Sequence, residues 1–376
     1  MTTTLAPSRI AGAVRDATAA DNDALVALAE ACPMRGDITM CVDRAPDFFA
    51  LVRLEGERWR VGVAEDAGGV VGCVAASERL AYVNGAAART AYVGDLKVHP
   101  THRGGFAADA LEEFSREAVR GYGGDDMLAL VTVLGGNSAM ERRAVGPRGL
   151  PRLTRFATLD VHAIPLLWSR AEWVAGLRVD VARERDLDEM GALWNRVAPG
   201  RQLAPVLGAA RLSAWIADAP GLAVEDYLVA RRADGRIVGF LALWDQYFIK
   251  QLRVLGYSTR LAAVRAALNG IAPIARTPRL PAAGAVLPSL AVLHCCVGGD
   301  EPAVLRALML HAYAARRGAG YLFLSLALDR RDPLRTALRG LLAQPTVVGA
   351  YATTPAGRWT GAPLDGRPLH FESALV

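Results

Sequence analysis

A β-type run over 92–98 ends at His99-Pro100, a glycine-rich turn follows, and the periodicity then becomes helical. Ala107, Ala110, Leu111, Phe114 and Ala118 recur with a helix's spacing, which predicts an amphipathic helix over 107–120. Upstream, the pattern predicts a strand over 14–18 and a helix that starts at Thr18-Ala-Ala-Asp21 and runs to about 31, with Leu25, Val26 and Leu28 on one face. A second helix is expected over 48–54. Strands over 59–65 and 70–76 are joined by Asp66-Ala-Gly-Gly69, a hairpin signal. Downstream come an apolar strand over 127–133, a short helix over 138–143 that Asn137 caps, and a strand over 156–164 that closes this half.

The second half opens the same way. A strand over 177–181 precedes a helix over 183–197 with Leu187, Met190, Leu193 and Trp194 apolar. Strands over 227–231 and 237–243 flank the turn Arg232-Ala-Asp-Gly235. Then follow a strand over 290–297, a helix over 301–316, a strand over 321–327, a helix over 332–342 and a strand over 347–353. One element order therefore occurs twice, without clear residue identity between the copies, and a structural duplication is the economical explanation. The joint falls near 169–176. The copies differ by an insert over 245–288, which carries four prolines and a helix over 261–269. Its Tyr247, Phe248, Ile249 and Tyr257 favour an ordered flap. Trp244-Asp245-Gln246 and Lys250-Gln251 make a polar cluster there, read either as an acceptor contact or as a solvated strand end.

Composition narrows the field. A chain of 376 residues is comfortable for two domains, and 52% hydrophobic with 22% charged residues is an ordinary globular mixture. The net charge is +5, but Lys97 and Lys250 are the only lysines, so 43 − 2 = 41 of the basic residues are arginine, scattered among acids. That pattern argues against a nucleic-acid partner. No stretch approaches the ~20 apolar residues of a membrane helix, and no signal peptide is expected from residues 1–15, of which 1–10 read as a tail. The five cysteines form no CxxC pair, which fits buried thiols in a reducing cytoplasm, and Cys295-Cys296 reads as core packing. The six histidines have no metal-ligand spacing, so no metal is expected.

Strand, Gly turn, helix N-terminus is an architecture that holds phosphate on backbone N–H groups and the helix dipole. Arg103 adds a permanent charge beside those donors. Val98-His-Pro-Thr-His-Arg103-Gly104-Gly105-Phe106-Ala107 resembles the acyl-CoA-binding motif of the GNAT acyltransferase superfamily, and the element order of each half is similar to that fold. The resemblance implies an α/β (α+β) protein of two tandem GNAT-like domains, 1–170 and 171–376, each a mixed, mostly antiparallel sheet flanked by helices. The family pattern sets a Gln or Arg after four spacers from the valine, as Arg103 follows Val98. Beyond Arg103 the loop is one residue short. Either it is tightened, or His102 takes the arginine position and Gly105 and Ala107 fall on the pattern. The acyl-CoA contacts so implied are Leu96, Lys97, Val98, His102, Arg103, Gly104, Gly105, Phe106, Ala107 and Asn137.

In the second half the matching turn, Val297-Gly298-Gly299-Asp300-Glu301-Pro302, has two acids and neither Arg nor Gln. Those acids repel a pyrophosphate, so this half is expected to have lost tight CoA binding and to complete the substrate pocket.

The resemblance implies a GNAT-type N-acyltransferase. Its donor is most simply acetyl-CoA, or another acyl-CoA, and its acceptor is a small-molecule amine. The protein is expected to be cytoplasmic, off the membrane, and a monomer or homodimer. A backbone N–H near Leu96–Val98 polarises the thioester carbonyl. Asp95 is the first candidate for general base or amine anchor, with pairing to Lys97, its same-face neighbour, as the alternative; Tyr92 and His99 rank second. Family members often carry a tyrosine that protonates the leaving thiolate, and Ala144 stands at that place here. Two other readings stay open: a non-catalytic acyl-CoA sensor or scaffold, and a GNAT-like acyl-CoA decarboxylase or S-acyltransferase.

Overall fold

The apolar strand runs of both halves build one twelve-stranded sheet. The computed structural model of the chain describes residues 13–145, 153–170, 173–275, 277–357, 359 and 361–376. The tail over 1–10 and part of the joint at 169–176 lie outside those residues. The first half contains β1 (Ala13–Asp16), α1 (Asn22–Ala31), β2 (Ile38–Asp43), α2 (Phe49–Glu55), β3 (Arg58–Asp66), β4 (Gly69–Val83), β5 (Ala86–Val98), α3 (Ala107–Gly123), β6 (Ala129–Leu134), α4 (Ser138–Val145) and β7 (Thr154–Pro165). The second contains β8 (Arg178–Val181), α5 (Leu187–Val197), α6 (Ala209–Asp218), β9 (Tyr227–Arg231), β10 (Ile237–Trp244), β11 (Gln251–Tyr257), α7 (Thr259–Ala275), β12 (Ser289–Val297), α8 (Pro302–Arg316), β13 (Phe323–Asp329) and β14 (Gln344–Thr353).

The strand order is β1-β3-β4-β5-β6-β14-β7-β13-β12-β10-β9-β8. The two halves exchange their last strands. β7 is present where a strand is expected, but its neighbours are β13 and β14 of the second half, and β14 in turn pairs with β6. A strand buried on both faces reads the same whichever sheet it joins, so the sequence pattern does not encode this choice. All neighbours are antiparallel except β5·β6 and β12·β13.

Helices cover both faces. Leu25 and Leu28 of α1 and Val52 of α2 pack on Val61, Val63, Cys73 and Ala75 on one side of the first half. Leu111 and Phe114 of α3 pack on Ala64, Val71 and Val74 on the other. In the second half, α5 and α6 close one face and α8 the other. Gly72 and Gly239 show why the helices come so close. A Cβ on Gly72 would meet Leu111 of α3 at 2.9 Å, and one on Gly239 would meet Val304 of α8 at 2.5 Å. Each glycine pairs with the valine that ends the neighbouring strand, Val98 or Val297.

Several elements differ from expectation. β4 and β5 reach well beyond 76 and start well before 92, meeting at Asn84-Gly85, both at positive φ. The alanines over 86–88 have low β-propensity. Tertiary pairing extends the strands: Tyr82 N–H donates to Ala204 O at 2.9 Å and Val206 N–H to Leu80 O at 3.0 Å. The expected helix over 332–342 is a 3₁₀ segment, Pro333–Leu338, followed by the long β14. β2 and α6 were not expected. β2 pairs with β11, so the insert is an ordered flap that docks a strand of one half on the other, and its helix α7 is longer than the 261–269 expected.

Candidate active site

β5 and β6 run parallel for Ala91↔Ala129, Tyr92↔Leu130 and Val93↔Val131, and then part. The fork opens because β5 carries a bulge. Asp95 and Leu96 together face Val74, between the pairs Ala75↔Gly94 and Cys73↔Lys97. A bulge adds a residue and re-aims the strand, and Asp95 takes φ 52° to make it. The notch of the fork is tied by Tyr92, whose hydroxyl lies 2.9 Å from Thr132 Oγ1, just past the last paired residue. Tyr92 is buried, and burial lifts its hydroxyl above the ordinary value.

Beyond Val98 comes the turn. His99 N–H donates to Val71 O at 2.8 Å, and Pro100–His102 make one 3₁₀ turn. His102 Nε2 lies 2.7 Å from Asp66 Oδ2 of the β3–β4 hairpin, so the hairpin and the turn brace each other. Arg103, Gly104 and Gly105 are exposed, and Gly104 needs its φ of 83°. Among the described residues Arg103 forms no ion pair; its Nε donates to Val98 O at 3.4 Å, and its side chain lies against the Cys32 thiol. Phe106 packs beside Leu96 and Val98, and Ala107 opens α3 buried. The result is an unpaired guanidinium and a solvent-facing glycine loop at a helix N-terminus, where backbone N–H groups lack intrahelical acceptors. Arg103, not His102, holds the free charge. Asn137 lies at the start of α4, where its Oδ1 accepts from Met140 N–H at 3.3 Å as the expected cap. Ala144 is buried against Val133 and Tyr351.

On the α2 face of the sheet, charged side chains gather in a cluster. Arg44, its side chain 2% exposed, donates to Asp95 Oδ2 at 2.9 Å and to Phe48 O at 2.8 Å. Lys97 holds the other Asp95 oxygen. Burial alone would raise the Asp95 carboxyl, but Lys97 and Arg44 overcome it and hold the group well below the usual carboxylate range. Asp95 therefore pairs with Lys97, and it is a poor proton acceptor. Glu55 at the end of α2 lies in the same cluster, accepting from Ser77 Oγ at 3.3 Å. It forms no ion pair among the described residues. Burial and the nearby Asp95 charge push its carboxyl up to about 8. The sequence reading missed Glu55, which stands at the apolar end of a short helix. The one available signal was an acid next to the helix-ending Gly56 on an otherwise buried face.

The second half closes the cluster. Lys250 donates to the backbone oxygens of Ala374 at 2.9 Å and Val376 at 2.7 Å, and Gln246 Nε2 to Ala374 O at 2.7 Å. The polar cluster at 244–251 is thus a clasp for the segment over 373–376 and not a solvated strand end. Burial pushes Lys250 down to about 7.

The construction recurs in the second half with different fillings. His294 and Cys295 together face Leu241, and His294 takes φ 51°. β12 and β13 part after Ala291↔Ser325. Here the His294 N–H donates to Glu372 at 2.9 Å, and His294 Nδ1 lies 2.7 Å from Tyr227 Oη. At the turn, Arg201 is buried and bonded to Asp332, at 2.5 Å, and to Asp300. A partly open cavity of about 40 Å³ lies here, lined by Trp194, Cys295, Leu326 and Phe371 among others.

A large sheet of this order, forked and bulged at two places with a helix after each bulge, is the GCN5-related N-acetyltransferase fold in doubled form. Solved structures with this architecture include *Saccharomyces cerevisiae* N-myristoyltransferase with bound myristoyl-CoA, at TM-score 0.63 and 12% identity, covering 94% of this chain and 85% of that one. Another is the GCN5-related glucosamine N-acetyltransferase region of a fungal multi-domain GH3 β-N-acetylglucosaminidase, at TM-score 0.59 and 15% identity over 92% of this chain and 39% of that one. A third is a GCN5-related N-acetyltransferase from Anabaena variabilis, at TM-score 0.53 and 13% identity over 92% and 73%. Neither a family profile nor a curated sequence matches the chain. Identities this low carry the fold alone. No described helix is long and apolar enough to cross a membrane.

Proposed function

We propose that the chain is an acyl-CoA-dependent N-acyltransferase that binds its donor in the first half and acylates a small-molecule amine, with acetyl-CoA the simplest donor. The observation that carries this reading is the β5/β6 fork, with a bulge at its mouth and an unpaired Arg103 at the α3 N-terminus. The pyrophosphate of CoA lies on the turn over 103–107, and the pantetheine arm follows β5 past Val98, Lys97 and Leu96. The thioester then reaches the fork. A backbone N–H of the bulge region polarises its carbonyl as a one-donor oxyanion site. A cytoplasmic monomer or homodimer without a metal is the assembly this reading expects.

The amine enters from the charged cluster on the α2 face. Asp95, kept ionised by Arg44 and Lys97, anchors the site electrostatically. Glu55 takes one proton of the ammonium, a role suited to a carboxyl whose pKa is near the working pH. The amine nitrogen attacks the thioester carbon, the C–N bond forms and the C–S bond breaks. The second proton reaches the departing thiolate, with the Tyr92 hydroxyl as donor, so the products are an amide and CoA thiol.

Incubation with acetyl-CoA and a panel of primary amines, with free CoA followed over time, tests the reading. Turnover is expected, and Asp95→Asn should lower kcat by about tenfold or more. A wild-type rate in that variant removes Asp95 from the site. A second reading rests on Ala144, which cannot act as an acid where the fold's tyrosine is expected. On that reading the protein senses acyl-CoA without turnover, and tight CoA binding with no CoA release over the whole panel would establish it.

A further inference from the structure

Ser77 and Arg79 lie two residues apart on β4, so their side chains share the face that looks onto α2, about 7 Å apart along the strand. Ser77 is buried and bonds Glu55, while Arg79 is half-buried. Glu55 and Glu372 both act on the Arg79 guanidinium electrostatically, yet it pairs with neither. Among the described residues it makes no hydrogen bond and no ion pair. The other cations of the cluster are committed: Arg44 and Lys97 hold Asp95, and Lys250 holds backbone oxygens. Glu372 is committed as well, with His370 Nε2 at 2.7 Å and the His294 N–H at 2.9 Å. Among the described residues one carboxyl, Glu55, and one guanidinium, Arg79, remain here without a charged partner.

Opposite charges at low dielectric attract strongly on contact, and the half-buried Arg79 guanidinium, which keeps contact with water, has its donors open to an anion. A carboxyl and a guanidinium that lie on one face and are not joined leave both charges open, and their complement has a cation at one end and an anion at the other. We propose that the acceptor is a zwitterion, an amine that also carries a carboxylate, with its ammonium at Glu55 and its carboxylate on the Arg79 guanidinium. This rests on the acyltransferase reading above. The planar fork of arginine matches a carboxylate in two parallel hydrogen bonds, which selects for the anion by shape as well as charge. Burial, which pushes the Arg79 guanidinium down from its ordinary value, is relieved when such an anion arrives.

The test uses the full chain saturated with CoA. It is titrated with matched probes: phenylalanine against phenethylamine, histidine against histamine, tryptophan against tryptamine, and leucine against isoamylamine. At least one amino acid should bind about tenfold or more tightly than its decarboxylated partner, the scale of one charge-assisted bidentate contact. Arg79→Gln should erase that preference and leave CoA affinity unchanged. If Arg79→Gln does not fold, as judged by thermal melting, Arg79→Lys carries the test. It keeps the charge, loses the fork, and should lower the preference without abolishing it. CoA binding with no preference for any carboxylate, or a preference undiminished in the Arg79 variant, overturns this inference alone. Absence of CoA binding in the wild type overturns the acyltransferase reading and the inference with it.

Discussion

Asp95 and His294 hold the same backbone position in the same bulge, at φ 52° and 51°, and their surroundings are opposite. Around Asp95 the two strands part, the turn beyond Val98 is exposed, and among the described residues Arg103 has no carboxylate partner. Around His294 the chain's own side chains satisfy the donors and charges. Glu372 accepts the bulge N–H, Tyr227 holds the ring, and Arg201 with Asp300 and Asp332 occupies the turn. A guanidinium stands near the turn in both halves, free in one and sealed in the other. Backbone architecture alone therefore does not make a binding site. What separates a site from a brace is whether the chain's own side chains already satisfy the donors and charges that the architecture creates.

This comparison can be broken most sharply at Arg201. Arg201→Ala leaves the buried Asp332 without its cation and should cost about 3–5 kcal/mol of stability, while CoA affinity stays unchanged. Denaturant unfolding beside CoA titration checks both halves of that statement. A weakened CoA affinity at full folding would mean that the second half also serves the donor.

The two helix–sheet approaches should respond alike. Gly72→Ala and Gly239→Ala each push a Cβ into the crossing helix and should cost about 1–3 kcal/mol. A cost in only one half, read from thermal melting, would show that the two crossings are not equivalent.

Per pH unit, the smallest expected effect is one of pH. Glu55 rises from 4.5 to about 8 on folding, so between those values the folded chain keeps a proton that the unfolded chain has lost. Its contribution to stability is lost as pH rises through that window, by at most about 1.4 kcal/mol per pH unit. Glu372 behaves in the opposite sense. Burial alone would raise it, but the nearby His370 and the bonds it accepts hold it below 4.5, so its contribution is present above that value and is lost as pH falls. Unfolding of Glu55→Gln across pH 4.5–8 and of Glu372→Gln below pH 4.5 should therefore give stability differences from wild type with opposite slopes. Equal slopes would contradict the distinct environments of the two carboxylates.

Much of the frame was legible because it rests on local signals. The helix over 107–120 shows its apolar stripe, the hairpin at Asp66–Gly69 shows its turn, and the motif after Val98 shows its glycines. What escaped depends on contacts far apart in sequence. The exchange of β7 and β14 cannot be read from apolar strands that look alike. The alanine-rich start of β5 becomes strand only because the hairpin reaches Ala204 and Val206. Within the site, Asp95 and Lys97 were legible as same-face neighbours two residues apart. Arg44, Glu55 and Arg79 were not, because their chemistry arises where α2, β4 and the segment over 372–376 meet.

The central claim is that one half is open to the donor and the other is filled. Calorimetric titration of the full chain with CoA, repeated for Arg103→Ala and Arg201→Ala, tests it most directly. The account predicts one site per chain, a loss of about 1–3 kcal/mol of binding free energy in Arg103→Ala, and unchanged affinity in folded Arg201→Ala. Two sites per chain, or an affinity indifferent to Arg103, would contradict it.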